Sequence, residues 1–311
     1  MYDIIGDIHG HADKLVLLLE KMGYSLQNGV YTHPSRKVLF LGDYIDRGPE
    51  IAKTLSIVQS MVENKQAIAL MGNHEYNAIC FNTKDQQGEY LRDQNTKNIT
   101  QHEETLRQFQ HNKNEYYNYI EWFKTLPLFF ETDGFRAVHA CWWEDQIDYL
   151  KQELNGSLLT EESLLASSIK DSPMYNAIED VLKGKEIIPP NGVPFDDKDL
   201  IERYEIRIKW WLNPATTTIK ALSMLPNDKL PDKFIDTASP GDNWYYKISE
   251  KPVFFGHYWF TGIPQIQQEN ICCLDYSVAK GGELVAYQYK NENILNNEHI
   301  VRLNKNIIKA I

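Results

Sequence analysis

Three segments near the start of the chain share one arrangement, in which a short apolar run ends in glycine and is followed at once by Asp or Asn. They are GDIHG at 6–10, GDYIDRG at 42–48 and GNHE at 72–75. Segments with the apolar spacing of helices, 11–22 and 50–62, separate them. Strands and helices that alternate at this spacing predict an α/β fold with a largely parallel sheet. Because parallel strands bring their carboxyl ends to one edge of a sheet, we expect the three polar segments to meet there.

Two later apolar runs also end at a histidine, namely His139 in VHA at 138–140 and His257 after VFFG at 253–256. Together, the five segments supply one set of candidate metal ligands: Asp7, His9, Asp43, Asn73, His139 and His257. The set has oxygen and nitrogen donors and no thiolate, which suits Mn, Fe, Zn or a similar first-row ion. Six ligands that share one carboxylate are enough for two ions about 3.5–4 Å apart. The sequence therefore predicts two divalent metal ions as cofactors, and the ligand types alone do not select the metal.

The balance of charge limits the classes of partner. The 311 residues include 43 Asp and Glu against 32 Lys and Arg, a net charge of −11. Broad nucleic-acid surfaces and anionic membrane surfaces need clustered positive charge, so we expect neither as a partner. Four cysteines without a CxxC spacing predict neither a disulfide scaffold nor a Cys-type zinc site. The first residues lack the pattern of a signal peptide and no apolar run approaches ~20 residues, so we expect a cytoplasmic protein.

Segment 144–250 differs from the rest of the chain. It holds 20 acidic and 12 basic residues and therefore most of the net negative charge. Several helix-like stretches occur in it, among them a helix predicted over 199–211. We interpret it as an insertion or cap on a core formed by 1–143 and 251–311.

Within that core, the pattern predicts further elements. Segment 82–100 is polar and has no apolar period, which predicts a loop. Segment 104–126 has the aromatic spacing of one long helix, ended by Pro127. A hairpin is predicted over 128–139, and short β-rich runs between 252 and 303 predict strands of a second sheet.

The motifs together resemble those of the calcineurin-like metallophosphoesterase superfamily. Their order matches that family, and the full GDYIDRG and GNHE forms resemble its phosphoprotein phosphatase branch. That branch includes Ser/Thr protein phosphatases and the bacterial symmetrical diadenosine tetraphosphatases. EWFKTLPL at 121–128 and LDY at 274–276 are also similar to it. The resemblance covers roughly 1–140 and 252–290, and it implies a four-layer α/β/β/α sandwich that carries 144–250 as an inserted cap.

The resemblance also implies a role for each candidate residue. As metal ligands it implies Asp7 and His9 for a first ion, Asp43 as a bridge between two ions, and Asn73, His139 and His257 for a second. A bridging hydroxide would attack phosphorus in line. Arg47 would hold the phosphate oxygens in a bidentate manner that Lys does not reproduce. His74 would protonate the leaving oxygen and Asp46 would orient it, which agrees with the need of an alkoxide leaving group for a proton near neutral pH.

The chain departs from the family pattern between the last two histidines. ACWW at 140–143 follows His139, where the branch usually has glycines. The branch also supplies a second phosphate-binding Arg in this interval, and here only Arg203 and Arg207 lie there. They are four residues apart, on one face of the predicted helix. We therefore predict that one of these two arginines contacts the substrate phosphate.

These observations predict a metal-dependent phosphoesterase that hydrolyses phosphomonoesters of small molecules or of phosphoprotein Ser/Thr. One alternative is a hydrolase of dinucleoside polyphosphates such as diadenosine tetraphosphate, in which Trp142, Trp143, Trp210 and Trp211 stack a nucleobase instead of packing the cap on the core. The acidic cap argues against a highly charged polyphosphate, because like charge slows its approach. The alternative from another class is a catalytically weak binding or scaffold protein, against which the complete ligand set and His74 speak.

Overall fold

The computed structural model describes residues 1–154, 156–188, 195–196, 202–225, 228, 230–235 and 244–303, with the backbone alone at 195–196 and 202–203. In these ranges no helix is both long enough and apolar enough to cross a membrane. The first elements along the chain are β1 (Tyr2–Ile5), α1 (Ala12–Lys21), β2 (Ser25–Gln27), β3 (Val30–Thr32), β4 (Lys37–Phe40), α2 (Ile51–Glu63), β5 (Ala67–Ala69), α3 (Asn73–Asn82), α4 (Thr96–Gln108) and α5 (Lys113–Phe123).

The second half of the chain contains the remaining helices and strands. They are β6 (Phe129–Glu131), β7 (Arg136–Val138), α6 (Glu144–Glu153), α7 (Glu161–Ser167), α8 (Pro173–Lys183), β8 (Glu186–Ile187), β9 (Phe195–Asp196), β10 (Glu202–Arg203), β11 (Ile206–Arg207), α9 (Ile219–Leu222), β12 (Val253–Phe255), β13 (Ile271–Cys273), β14 (Asp275–Tyr276), β15 (Glu283–Tyr289) and β16 (Ile300–Arg302). Single 3-10 turns occur at Val278–Lys280 and Asn297–His299.

The first sheet has the strand order β14-β15-β1-β4-β5, with β16 beside β15. β1, β4 and β5 are parallel, as the βαβ pattern predicted, and β15 joins β1 antiparallel. The second sheet has the order β13-β12-β7-β6. The prediction of second-sheet strands between 252 and 303 is right for β12 and β13 and wrong for β15 and β16. A strand pattern reports burial, and β15 is buried on both faces, so its sequence does not reveal which sheet it joins.

The two sheets pack face to face. One apolar cluster contains Ile4 and Leu39 from the first sheet together with Ala137 and Phe254 from the second. The opposite faces belong to another cluster, which also contains apolar side chains of the flanking helices. Two sheets between two helical layers make the α/β/β/α sandwich, and the predicted fold class is confirmed.

Segment 82–126 is organised differently from the prediction. α4 begins at Thr96, inside the predicted loop, and the side chain of Asn95 caps it by accepting a backbone N–H of the first turn. The predicted long helix is broken at 109–112, where Asn112 caps α5 in the same way. α4 buries few apolar side chains, so the apolar period that would have revealed it is absent.

The helix predicted over 199–211 is wrong wherever the structure describes that segment. β10 and β11 lie there instead. Ile206, Ile208 and Trp210 are buried, and the partly exposed Arg207 alternates with them. This is the period of two that a strand produces, and the short run allowed either interpretation.

Tryptophans fill the contact between 144–250 and the core. Trp210 is fully buried, its Nε1 donates to the carbonyl oxygen of Ala140 at 3.1 Å, and its ring centre lies 5.0 Å from that of Phe255. The other members of this group, Trp142, Trp143 and Trp211, are buried as well. These side chains therefore pack in the interior and do not form a stacking pocket.

Candidate active site

The loops that follow β1, β4, β5, β7 and β12 lie beside one another at one edge of the sandwich. The backbone N–H of His9 donates to the carbonyl of Asp43 at 2.8 Å, and that of Gly256 donates to the carbonyl of His139 at 2.8 Å. The structure thus brings together the polar segments that the sequence analysis singled out, from both sheets.

Two groups of potential ligand atoms lie at this edge, and Asp43 belongs to both. The first consists of His9, Asp43 and His74, and the second of Asp43, His139 and His257. Within each group the ligand atoms are all within 4.8 Å of one another. All of these side chains are buried except that of His74, which is partly exposed. A carboxylate shared by two such groups has the arrangement that two neighbouring cations require.

Hydrogen bonds determine which nitrogen of two histidines faces these groups. Nδ1 of His9 lies 3.0 Å from the carbonyl oxygen of Ile45, and Nδ1 of His139 lies 2.8 Å from that of Leu41. A carbonyl only accepts, so Nδ1 carries the proton in both rings and Nε2 is left as a ligand. Oδ1 of Asn73 lies 3.1 Å from Nε2 of His139, which places Asn73 with the second group.

Asp7 is buried next to the backbone of Gly256 and His257. Its Oδ2 accepts the backbone N–H of His257 at 3.0 Å, while its buried Oδ1 has no hydrogen-bond partner among the described residues. A Cβ on Gly256 would lie 1.9 Å from that Oδ1, so the carboxylate needs a glycine there. Burial and the charges of Asp275 and Asp43 raise the pKa of Asp7. A buried oxygen that lacks a donor and has acidic neighbours fits a divalent cation, and so does the donor set around it.

Glu75, to which the sequence analysis assigned no role, ties the ends of β4 and β5 together. Its carboxylate accepts the backbone N–H groups of Asp43 at 2.8 Å, Tyr44 at 2.8 Å and Gly72 at 3.0 Å. Gly72 has no room for a side chain, because a Cβ would lie 2.3 Å from the backbone nitrogen of Asp43. Glu75 therefore holds Asp43 in its left-handed conformation, with φ 53°.

His74 and Asp46 form a hydrogen-bonded pair beside the first group. Nδ1 of His74 lies 2.5 Å from Oδ2 of Asp46, and Nε2 of His74 lies 3.9 Å from Oδ2 of Asp43. Burial lowers the pKa of His74, but the charge of Asp43 and the hydrogen bond to Asp46 outweigh it and raise the pKa to about 9. Burial raises the pKa of Asp46, yet hydrogen bonds from His102 and His74 hold it below its ordinary range. Near neutral pH the pair is therefore an imidazolium and a carboxylate.

A cavity of about 340 Å³ opens in front of both ligand groups. Besides residues named above, Arg47, Trp259, Ser277 and Lys280 line it. Arg47 is exposed, and its backbone is left-handed with φ 71°. The cavity therefore places two cationic side chains, Arg47 and Lys280, near the candidate ligands.

Asp275 connects the loop after β12, which contains Trp259, to the turn after β14, which contains Ser277. Its carboxylate accepts the backbone N–H groups of Trp259 at 2.8 Å and of Ser277 at 2.9 Å, which is a structural role at a turn. Trp259 is 42% exposed. Nζ of Lys280 lies 5.3 Å from its ring centre and Cζ of Arg207 lies 6.0 Å from it. Trp259 and Lys280 were not predicted from the sequence, although the LDY segment at 274–276 close to them is one of the family motifs.

Arg207 reaches the second ligand group from β11. Its Nη1 lies 2.9 Å from Nε2 of His257, and its Nη2 donates to Glu186 at 3.0 Å. Its Nε is buried without a hydrogen-bond partner among the described residues. The side chain of Arg203, the other predicted candidate, lies outside the described residues.

Unfavourable backbone conformations concentrate at this site. Of the 11 non-glycine residues with positive φ in the described ranges, these seven belong to the candidate site: His9, Asp43, Asp46, Arg47, His257, Trp259 and Ser277. Left-handed conformations of this kind cost of order 1–3 kcal/mol each and persist only where the surrounding structure enforces them. Their clustering is typical of a functional site.

Curated relatives match a short part of this chain. The asymmetrical bis(5'-nucleosyl)-tetraphosphatase PrpE of Oceanobacillus iheyensis is 45% identical over 73 residues, which are 23% of this chain and 29% of that protein. The protein of the same name from Geobacillus thermodenitrificans is 48% identical over 73 residues, 23% of this chain and 30% of its own length. The chain thus matches less than a third of the length of these relatives, which are named asymmetrical, whereas the motif resemblance was to the symmetrical enzymes.

Wider comparisons extend over most of the chain. A protein serine/threonine phosphatase structure from Saccharomyces cerevisiae, with similarity to human phosphatase PP5, covers 97% of this chain and 78% of its own at 12% identity and a TM-score of 0.48. The family model described as calcineurin-like phosphoesterase matches residues 2–258, which include both ligand groups. The chain belongs to the calcineurin-like phosphoesterase family.

Proposed function

We propose that this chain is a divalent-metal-dependent phosphoesterase that hydrolyses phosphomonoesters, with phosphorylated Ser or Thr side chains of proteins among its substrates. The position of Asp43 carries the proposal, because its carboxylate belongs to two ligand groups at once. The hydrogen-bonded pair of His74 and Asp46 lies beside it, at the cavity. A binding or scaffold protein has no use for a proton donor placed next to such a centre.

The proposed ligands divide over two cations, as the family resemblance implied. Asp7 and His9 would hold one, Asn73, His139 and His257 the other, and Asp43 both. Mn, Fe and Zn all suit these nitrogen and oxygen donors. When bound, such cations offset the charge of phosphate oxygens and make a bound water more acidic.

The chain's own side chains supply the remaining chemistry. Arg47 is exposed at the cavity and binds phosphate oxygens through its fork of N–H groups. His74 donates the proton on Nε2 to the leaving oxygen, because its Nδ1 is held by Asp46. Asp46 orients the ring and keeps it protonated at neutral pH. Hydrolysis thus breaks the P–O bond, with water as nucleophile and the protonated alcohol as leaving group.

Dinucleoside polyphosphates are the second candidate substrate. The names of the curated relatives support it, and so does the exposed Trp259 at the cavity, which offers an aromatic face near a nucleobase. The charged groups of Lys280 and Arg207 lie close to this ring. They add positive charge that would attract the further phosphates of such a substrate. The tryptophans first considered for this purpose are buried and do not contribute.

The segment 144–250 is proposed as a cap that completes the site. Its Arg207 reaches His257 of the core, and its buried tryptophans fix it to that core. A cytoplasmic location agrees with four buried free cysteines, since reducing compartments keep thiols unpaired.

The first prediction concerns substrate class and metal dependence. Purified protein with Mn²⁺ is expected to hydrolyse p-nitrophenyl phosphate, and chelator is expected to abolish turnover. A phosphopeptide and diadenosine tetraphosphate, assayed in parallel, decide between the two candidate substrate classes by their kcat/KM. If none of the three substrates is turned over in a metal-dependent way, the non-enzymatic alternative is correct.

A second prediction concerns Arg207. Because a cation bound to Nε2 of His257 would displace the guanidinium from that nitrogen, we expect Arg207 to turn to the substrate phosphate. Arg207→Ala should lower kcat/KM for p-nitrophenyl phosphate about 10- to 100-fold, which is the effect expected when one hydrogen bond to a charged group is lost. Arg207→Lys should recover only part of it, because ammonium lacks the planar fork. Arg203→Ala is measured beside it, and unchanged kcat/KM in both alanine variants would contradict the predicted phosphate contact.

A further inference from the structure

The second carboxylate oxygen of Asp46 is bound by helix α4. While Oδ2 accepts from His74, Oδ1 accepts from Nδ1 of His102 at 2.8 Å and from Oγ1 of Thr105 at 2.5 Å. Thr105 also accepts the backbone N–H of Asp46 at 3.1 Å. His102 and Thr105 are both buried and lie one helical turn apart. Asp46 is therefore held at both oxygens and at its backbone.

The contacts of His102 continue to α5 and return to α3. Nε2 of His102 lies 2.8 Å from the hydroxyl of Tyr116, and that hydroxyl accepts from Nδ2 of Asn82 at 2.6 Å. Asn82 is the last residue of α3, the helix whose second residue is His74. Hydrogen bonds thus connect the two ends of α3 through the loop that carries Asp46 and through α4 and α5.

One consistent set of directions connects these hydrogen bonds. A carboxylate only accepts, so Nδ1 of His102 carries a proton toward Asp46. The amide nitrogen of Asn82 only donates, so the oxygen of Tyr116 accepts there and the proton of its hydroxyl is available to Nε2 of His102. The tautomer assigned by this pattern has its proton on Nδ1 of His102. It satisfies every polar atom of the chain of contacts.

We propose that His102 and Tyr116 are positioning residues for the proton donor, which hold Asp46 in the orientation that aligns His74 with the cavity. This rests on the proposed function, because it requires His74 to protonate a leaving oxygen. His102 does not line the cavity, so its effect on turnover passes through Asp46. Buried networks of this kind act as a unit, and loss of one member changes the geometry of the rest.

Two esters with different leaving groups separate this role from general damage to the protein. Phenyl phosphate needs a proton on its leaving oxygen, whereas dinitrophenyl phosphate releases a stable phenolate without one. His102→Ala should lower kcat for phenyl phosphate about 10- to 100-fold at unchanged KM, and change kcat for dinitrophenyl phosphate by less than about twofold. His102→Asn, whose amide offers a donor in place of Nδ1, should recover most of the lost rate.

Tyr116 has a matched control on the same helix. Tyr116→Phe removes only the hydroxyl that donates to His102, and should lower kcat for phenyl phosphate about threefold to tenfold. Tyr119→Phe removes a hydroxyl from another buried tyrosine of α5, which packs on Phe109 and Trp122, and should leave kcat unchanged.

A double variant supplies the decisive comparison. If His102 acts only through Asp46 and His74, His102→Ala should cause no further loss in a His74→Asn background. Equal losses on both esters, or a further loss in that background, would overturn the proposal. Histidine nitrogen NMR gives a readout that does not depend on activity, and a proton on Nε2 of His102 would also overturn it. Absence of metal-dependent turnover of either ester by the unaltered protein would instead overturn the proposed function.

Discussion

Asp43→Asn is expected to abolish turnover and to weaken metal binding at both ligand groups. The substitution keeps the shape of the side chain and removes the one carboxylate that both groups share. Because the cations supply several kcal/mol of stabilisation to the charges of the reaction, we expect kcat/KM for p-nitrophenyl phosphate to fall roughly 10³-fold or more. Metal content, measured by elemental analysis after dialysis, should fall in parallel.

Thermal unfolding provides an independent check on the same variant. A ligand at 100 times its Kd stabilises the folded state by about 2.7 kcal/mol, so Mn²⁺ should raise the Tm of the unaltered protein by a few degrees. Asp43→Asn should lose this rise. Asp133→Asn, which makes the same chemical change at an exposed turn, is the control and should keep both the rise and the activity. An Asp43→Asn variant with unchanged metal content would refute the proposed bridge.

The convergence of the candidate ligands was predictable because each one lies within a few residues of the end of a strand. Asp7 comes after β1, Asp43 after β4 and His139 after β7, so the order of strand and polar residue predicted their convergence before any distance was known. Local sequence was sufficient for these residues, since the position of each side chain follows from the strand that precedes it. Glu75 was assigned no role in the same way, because its contacts with the backbone N–H groups of Asp43, Tyr44 and Gly72 exist only once β4 and β5 are paired.

The position of His102 beside Asp46 could not be predicted from local sequence. It lies on α4, which has mostly polar residues and buries His102 and Thr105 rather than an apolar face. The pattern therefore predicts a loop over 82–100, which includes the first turn of α4, and it gives no sign of the contact that His102 makes with Asp46 across 56 residues of sequence. Arg203 and Arg207 were both candidates by elimination, and the helix predicted to carry them was wrong because a short run with Ile206 and Ile208 fits either period.

His74→Asn is expected to lower kcat for phenyl phosphate about 10²- to 10⁴-fold, the usual contribution of a general acid. The loss should nearly vanish for dinitrophenyl phosphate, whose leaving group needs no proton. Metal content is the essential control, because His74 lies within ligand distance of His9 and Asp43. Unchanged metal content with a loss that depends on the leaving group identifies a proton donor, whereas loss of metal and of turnover on both esters identifies a ligand.

The pH profile of the same variant tests the assignment again. A proton donor works in its protonated form, so kcat of the unaltered protein should fall as the pH rises through the pKa of His74. That pKa is raised to about 9 in the absence of metal, in large part by the charge of Asp43. Cations bound at Asp43 offset this charge, so the fall should begin below that pH in the active protein, and it should be absent in His74→Asn. An alkaline fall that persists in this variant would belong to another group and would exclude His74 as the source of the proton.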